Sequence, residues 1–287
     1  MTISTHPFDW ANGSGFSKKE QELIQQTYGL NLKELMVTGK IDNVRKVGKF
    51  GYNLAVGSSV EDIWSPGGIY TFRTTPTIVE CLSASSDDDV DSGTGAQIVQ
   101  LLGIYDNNGV RTYGTENIEL QGTSPVDSVK SWWLVYSMKV VQRGTYNTNN
   151  TNAGVITCRV DGAGATMNEI PVDAIFGGTG TSFNTHYETA FNEHAFLYYV
   201  LTDKDTGKTV DLTAEIMTGV NDVTAPFTGL HLNQIIHRDI PNFMQWDLNT
   251  LPFYLPPHTH INFKGYSSGA GTAVSINYGM MVITEKA

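Results

Sequence analysis

From about residue 41 onward, apolar positions fall in short runs or strict alternation, broken by clusters of Gly, Asn, Asp and Ser. Alternation places every second side chain on one face of a strand. The pattern predicts strands at residues 77–82, 97–104, 117–120, 132–141, 155–160, 195–201, 210–217, 243–246, 260–263 and 273–283, and Val, Ile, Thr, Tyr and Phe dominate them. Tyr105-Asp106-Asn107-Asn108-Gly109 and Asp203-Lys204-Asp205-Thr206-Gly207 read as hairpin loops, and residues 162–164 as a tight bend. Residues 145–152 and 177–181 read as longer loops. No strand–helix–strand alternation is present, which excludes a doubly wound parallel sheet. The expected fold is all-β: a jelly-roll-like antiparallel β-sandwich over residues 41–287, divisible into sub-sandwiches at about 41–175 and 182–287.

The first 40 residues have a different texture. Pro7, the Asn12-Gly13 pair and Gly15 interrupt regular structure in residues 1–16, while Phe8, Trp10 and Phe16 are apolar anchors. That reads as an extended arm that contacts a neighbour. Ser17 with Glu20 forms a capping box, Leu23, Ile24 and Tyr28 share a face, and Gly29 supplies a stop, so a short helix is expected over 17–28.

Composition sharpens this picture. Only 16 % of the 287 residues are charged, so Thr, Ser, Asn, Gln and Gly must supply much of the surface. A surface of that kind is sticky unless partners cover part of it. The net charge of −11 argues against a nucleic-acid partner. The basic cluster Lys40, Arg45, Lys46 and Lys49 reads as a solvated strand edge. Cys81 and Cys158 lie in strand-like runs and are expected to be buried thiols rather than a disulfide framework. There is no charged-then-apolar leader, and no apolar run approaches the roughly 20 residues that span a bilayer. A soluble chain without a membrane partner is expected.

The acidic run Ser85–Gly93 could offer Asp87, Asp89 and Asp91 to a calcium ion, but it lacks the EF-hand spacing and a closing bidentate Glu. The competing reading is a loop whose Asp and Ser side chains bond their own backbone. His258 and His260 are two apart, which on a strand points both rings to one face, as in metal sites of β-barrels. No acidic ligand follows them closely, so the reading is no metal and no cofactor. No Gly-x-Ser-x-Gly elbow or phosphate loop occurs, and no Glu pair stands out for sugar hydrolysis. Catalytic residues are expected to be absent. Trp132 and Trp133 must face opposite sides of a strand, one in the core and one at an interface or binding face. With Phe8, Trp10 and Phe16, Trp132 is an interface candidate.

Residues 57–172 resemble a family of virion structural proteins of tailed bacteriophages, especially marine and cyanobacterial ones. The resemblance lies in Val60-Glu61-Asp62-Ile63-Trp64 with Gly67-Gly68, and in Ser83-Ala84-Ser85-Ser86-Asp87-Asp88 running into Asp91-Ser92-Gly93-Thr94-Gly95-Ala96-Gln97. It continues in Glu119-Leu120-Gln121-Gly122-Thr123-Ser124-Pro125-Val126, in Asn152-Ala153-Gly154-Val155-Ile156 and in Gly162-Ala163-Gly164-Ala165-Thr166. The resemblance implies a β-sandwich component of the particle without catalytic residues, such as a capsid decoration (cement) protein. The corresponding expectation is a homo-oligomer, a trimer by preference, that bridges major capsid protein subunits in the virion. The alternatives are a tail or head fibre module that recognises a host surface glycan through Trp132 or Tyr254, and a metal-dependent enzyme that uses His258 and His260.

Overall fold

The computed structural model describes residues 43–144, 151–173, 177–205, 208–220, 231–240, 243–247, 253–269 and 271–285. The arm and helix expected over 1–40, with Phe8, Trp10 and Phe16, lie outside the described residues. The chain contributes β1 (Val44–Val56), β2 (Glu61–Asp62), β3 (Val79–Ser83), β4 (Ala96–Asn107), β5 (Val110–Glu119), β6 (Val126–Asp127) and β7 (Trp132–Arg143). Next come β8 (Ile156–Val160), β9 (Thr166–Ile170), β10 (Val172–Asp173), β11 (Gly177–Gly178) and β12 (Tyr187–Glu188). The C-terminal part holds β13 (Glu193–Lys204), β14 (Val210–Thr218), β15 (His231–His237), β16 (Phe243–Asp247), β17 (Phe253–Leu255), β18 (Thr259–Ser267) and β19 (Thr272–Thr284).

Two five-stranded sheets form the main body. One has the order β1-β19-β13-β16, with β17 also on β13, and the other β12-β18-β14-β15, with β2 also on β18. Two lanes are shared. β16 and β17 follow each other along β13, opposite residues 199–203 and 195–197. β2 and β12 follow each other along β18. With each lane counted once, eight strands pair first with last, second with seventh, third with sixth and fourth with fifth. That nesting is a long antiparallel hairpin rolled on itself, a jelly roll. Alternate residues of β19 (Val274, Ile276, Tyr278, Met280 and Val282) are fully buried, as are Val210, Leu212 and Ala214 of β14. Phe263 of β18 meets Tyr278 of β19 with ring centroids 5.1 Å apart, so the sheets share this core. Each large apolar side chain buried there contributes about 1.5–3 kcal/mol.

The second strand of the roll is interrupted by an insertion. Asp62 lies opposite Lys264 and Tyr187 opposite Ile261, which leaves two rungs between them. Ile63 donates its N–H to the Phe263 carbonyl at 2.9 Å, and His186 precedes Tyr187. The chain therefore leaves the lane after Ile63 and re-enters it at His186, and a bridge between Trp64 and Asn184 closes the root. The insertion carries a four-stranded sheet β6-β3-β8-β9 and a three-stranded sheet β5-β4-β7. Leu101, Trp132, Met138, Ile156, Cys81 and Cys158 are fully buried in its core. The two cysteines face each other across β3 and β8 as free thiols.

Three sequence expectations change. Residues 44–62 pair with the C-terminal half, so the expected division near residue 175 gives way to a jelly roll interrupted by an insertion. Lys204 and Val210 end and begin strands of different sheets, so that connection crosses the sandwich instead of closing a hairpin. Gly177–Gly178, read as loop, pairs with Val172–Asp173. The other hairpin forms as read: Asn107 pairs with Val110, and Asn108 and Gly109 both take positive φ, 55° and 84°. Two consecutive left-handed residues match the twist of the flanking strands, and Asn-Gly adopts them at little cost.

Candidate functional site

The unusual chemistry lies in a polar seam between the insertion and the jelly roll. β1 brings Arg45 and Lys49, β12 brings Tyr187 and Glu188, β5 brings Arg111 and Tyr113, and β7 brings Trp133 and Tyr136. Arg111 Nη1 donates to both oxygens of Glu188, at 2.9 and 3.1 Å, and both side chains are buried. The guanidinium also lies 3.9 Å from the Trp133 ring centroid. Burial pushes the Glu188 carboxyl up, against the pull of Arg111. Arg45 Nη2 donates to Glu193 at 2.7 Å and to the Tyr187 hydroxyl at 2.9 Å, and its guanidinium sits 4.4 Å from the Tyr113 ring centroid.

Among the described residues, no carboxylate pairs with the Lys49 amine. It donates to the Tyr136 carbonyl and lies 5.3 Å from the centroid of that ring. Burial alone pulls its pKa down to about 7. The expected solvated basic edge is thus wrong for Lys49, which is buried against the insertion, while Arg45 is half-buried in its ion pair with Glu193.

At the root of the insertion, His186 Nδ1 and His260 Nε2 are 3.2 Å apart, and both residues are fully buried. Tyr70 packs on His186 with centroids 4.5 Å apart, Trp64 at 5.9 Å, and Phe72 meets His260 at 4.7 Å. Burial, then His260, Lys49 and Lys264, hold the His186 pKa well below its ordinary value. The pairing of His258 with His260 fails. His258 sits in a turn with φ of 54° before β18 begins, so the two rings do not share a strand face. The crevice beside Arg111, Trp133 and Glu188 has a volume of about 10 Å³, room for one water. The two arginines of the seam are spent on Glu193 and Glu188, an arrangement that fastens two layers.

The acidic loop is a second fastening. Asp88, not the flagged Asp87, Asp89 or Asp91, is the fully buried carboxylate. Its Oδ1 accepts from the Ala96 and Ala153 amides at 2.7 and 2.8 Å. Its Oδ2 accepts from Ser83 Oγ at 2.6 Å and the Gly154 amide at 2.9 Å. Its own carbonyl takes the Gly122 amide at 2.9 Å. Asp89 Oδ1 accepts from the Asp91 and Ser92 amides at 2.8 and 3.1 Å, the self-bonded loop weighed against a calcium site. Among the described residues, the acidic group within metal-ligating reach of itself is Glu80, Asp127 and Asp161. Glu80 there is already held by Arg159 at 2.5 Å and by the Gly162 and Ala163 amides.

Trp132 corrects the interface expectation: it is fully buried, with its ring 6.1 Å from that of Tyr105. Its neighbour Trp133 takes the opposite face and is covered by Arg111. Tyr254, the glycan-platform candidate, stacks on His194 with centroids 5.7 Å apart. Sequence reading missed Arg111, Glu188 and His186. The available signal was their position in or beside apolar runs, where a charge needs a partner.

No protein-family model matches the chain, and no curated protein matches it. Among solved structures the chain is similar to the VP2 subviral particle of infectious bursal disease virus, at 11 % identity over 88 % of this chain and 78 % of that one, with a TM-score of 0.21. It is also similar to the structure of the Gx strain of that virus, at 8 % identity over 86 % and 73 %, with a TM-score of 0.20. A third, the T=1 particle derived from the same virus, shares 10 % identity over 89 % and 79 %, with a TM-score of 0.14. The jelly-roll assignment rests on strand order, not on these likenesses.

Proposed function

We propose that this chain is a structural protein of a virus particle, and specifically a decoration protein that bridges capsid subunits of a tailed bacteriophage. The observation that carries the reading is a jelly roll with two ion pairs, Arg45–Glu193 and Arg111–Glu188, turned inward to fasten its own layers. Jelly rolls serve capsids, lectins and metal-dependent barrels. A metal-dependent barrel needs ligands that converge on an open position, and here His260 meets His186 within the core while His258 lies in a turn. A charge-poor surface with Leu54, Val60, Ile69, Val129 and Phe243 exposed suits burial against neighbouring subunits. The sequence resemblance to tailed-phage virion proteins agrees. Trimers at capsid seams are the expected arrangement.

The test is cryo-electron microscopy of purified particles carrying the full chain, beside particles whose copy lacks residues 1–16. The expected result is density for the chain at seams of the shell, with occupancy and heat resistance of the shell lost on deletion. Absence of the chain from purified particles would overturn the virion reading. Density at a fibre tip, with binding on a glycan array, would replace decoration by host recognition.

A further inference from the structure

Three separate stretches of chain meet where the insertion is rooted. The outgoing stretch brings Trp64, Tyr70 and Phe72; the returning stretch brings His186, whose amide donates to Asn184 Oδ1 at 2.5 Å; the jelly roll brings His260 on β18. The two imidazoles are stacked, with centroids 5.3 Å apart at 30°, and share one N–H···N contact of 3.2 Å. One nitrogen of that contact must donate and the other accept, which two neutral rings can do. An added proton either destroys the acceptor or places an imidazolium among Trp64, Tyr70 and Phe72, where water cannot solvate it.

We propose that the His186–His260 pair is an acid-sensitive pin: it seats the insertion on the jelly roll while both rings are neutral, and protonation loosens the root. The proposal stands whatever particle or partner the chain serves.

The surroundings favour the neutral state. Lys49 on β1 and Lys264 on β18 add positive potential at His186. Lys264 is itself paired with Glu215 of β14 at 2.7 Å. Asp62 on β2, Glu188 on β12 and Arg73 act on Tyr70, the ring packed against His186. Glu188 is committed to Arg111. Asp62 is pushed up to about 6 by burial, so it too loses charge in mild acid.

The signs can be worked out group by group. The histidine pKa is depressed on folding, so the open state takes up protons below about pH 6.5 that the closed state refuses. Stability of the root is full above that pH and falls as pH drops, with opening favoured about tenfold per pH unit for each ring that titrates. Asp62 acts in the opposite sense. Its pKa is raised on folding, so the closed state binds its proton first and gains stability as pH falls through about 6. One carboxyl can offset only one of the two rings. Lys49, at about 7, is charged in both states at lower pH and adds no slope there.

Native-state hydrogen exchange on the full chain tests the pin. The Ile63 and Phe263 amides report opening of the root, and protection is corrected for the intrinsic pH dependence of exchange. Between pH 7.5 and 5, the parent is expected to open about tenfold more readily per pH unit below about 6, the proton uptake of two rings less the one that Asp62 takes back. The variant H186Q/H260Q, which keeps polar contact but cannot titrate, is expected to lose that dependence. Identical pH profiles in parent and variant would overturn the proposal. Should the double variant not fold, an NMR titration of the parent imidazoles decides. A ring that titrates near pH 6.5 while the root amides stay protected would overturn it equally.

Discussion

Replacing Asp88 with alanine removes the acceptor for four donors at once: Ser83 Oγ and the amides of Ala96, Ala153 and Gly154, all within 2.9 Å of its carboxylate. The Ser83 hydroxyl can rotate to another acceptor, but the three amides are fixed by the backbone. Each buried donor left without a partner costs about 1–3 kcal/mol, and water entering the space returns part of that. The expected loss is about 3–6 kcal/mol, a large share of the roughly 5–15 kcal/mol that stabilises a typical domain. Asp88→Asn keeps one oxygen and turns an NH₂ toward the remaining donors, so about half that loss is expected. Asp87→Ala, on the exposed neighbour, is expected within about 0.5 kcal/mol of the parent. Urea unfolding followed by tryptophan fluorescence measures all three, with the slope required to stay constant so that midpoints compare. If Asp88→Ala unfolded within about 1 kcal/mol of the parent, or no lower than Asp87→Ala, the reasoning would be refuted.

Two further outcomes follow from the seam. Glu188→Gln leaves the Arg111 guanidinium buried without its counter-charge and is expected to destabilise by about 3–5 kcal/mol, whereas the double variant with Arg111→Met should recover most of it in a thermal-melt cycle. For Lys49, the folded pKa of about 7 lies below the unfolded value near 10.5, so the unfolded chain holds the extra proton between those limits. Stability therefore rises with pH across that window, by up to about 1.4 kcal/mol per unit from this group, and Lys49→Met should remove the slope and stabilise the chain at pH 7.5.

The strands were largely legible because β-branched and aromatic residues alternate where one face meets an apolar core. Val274 to Val282 shows it most plainly, with every second residue buried. β1 was not legible. Its buried positions include Lys49, Gly51 and Asn53, because that face meets the polar seam and the returning chain rather than hydrocarbon. The pairs that build the seam join Arg45 to Glu193 and Arg111 to Glu188, 148 and 77 residues apart, and no local period records such a partner. Periodicity also gave the wrong companion for His260. It pointed to His258 two residues away, while the interrupted strand delivers His186 from across the lane. The acidic run was visible, but which of its carboxylates is buried depends on Ala96 and Ala153-Gly154 folding over it. The segments that carry the phage-protein resemblance around residues 83–97, 122 and 152–154 all converge on Asp88. Those stretches share a structural knot.

The two rungs between Asp62 and Tyr187 have a consequence for how such a chain can change over time. Ile63 and His186 fill successive places in one ladder, so residues 64–185 enter and leave the barrel as if through a single peptide link. A graft at this joint leaves the register of every other strand untouched. The jelly roll can then carry a module of another size at this joint without a change in its own pairing.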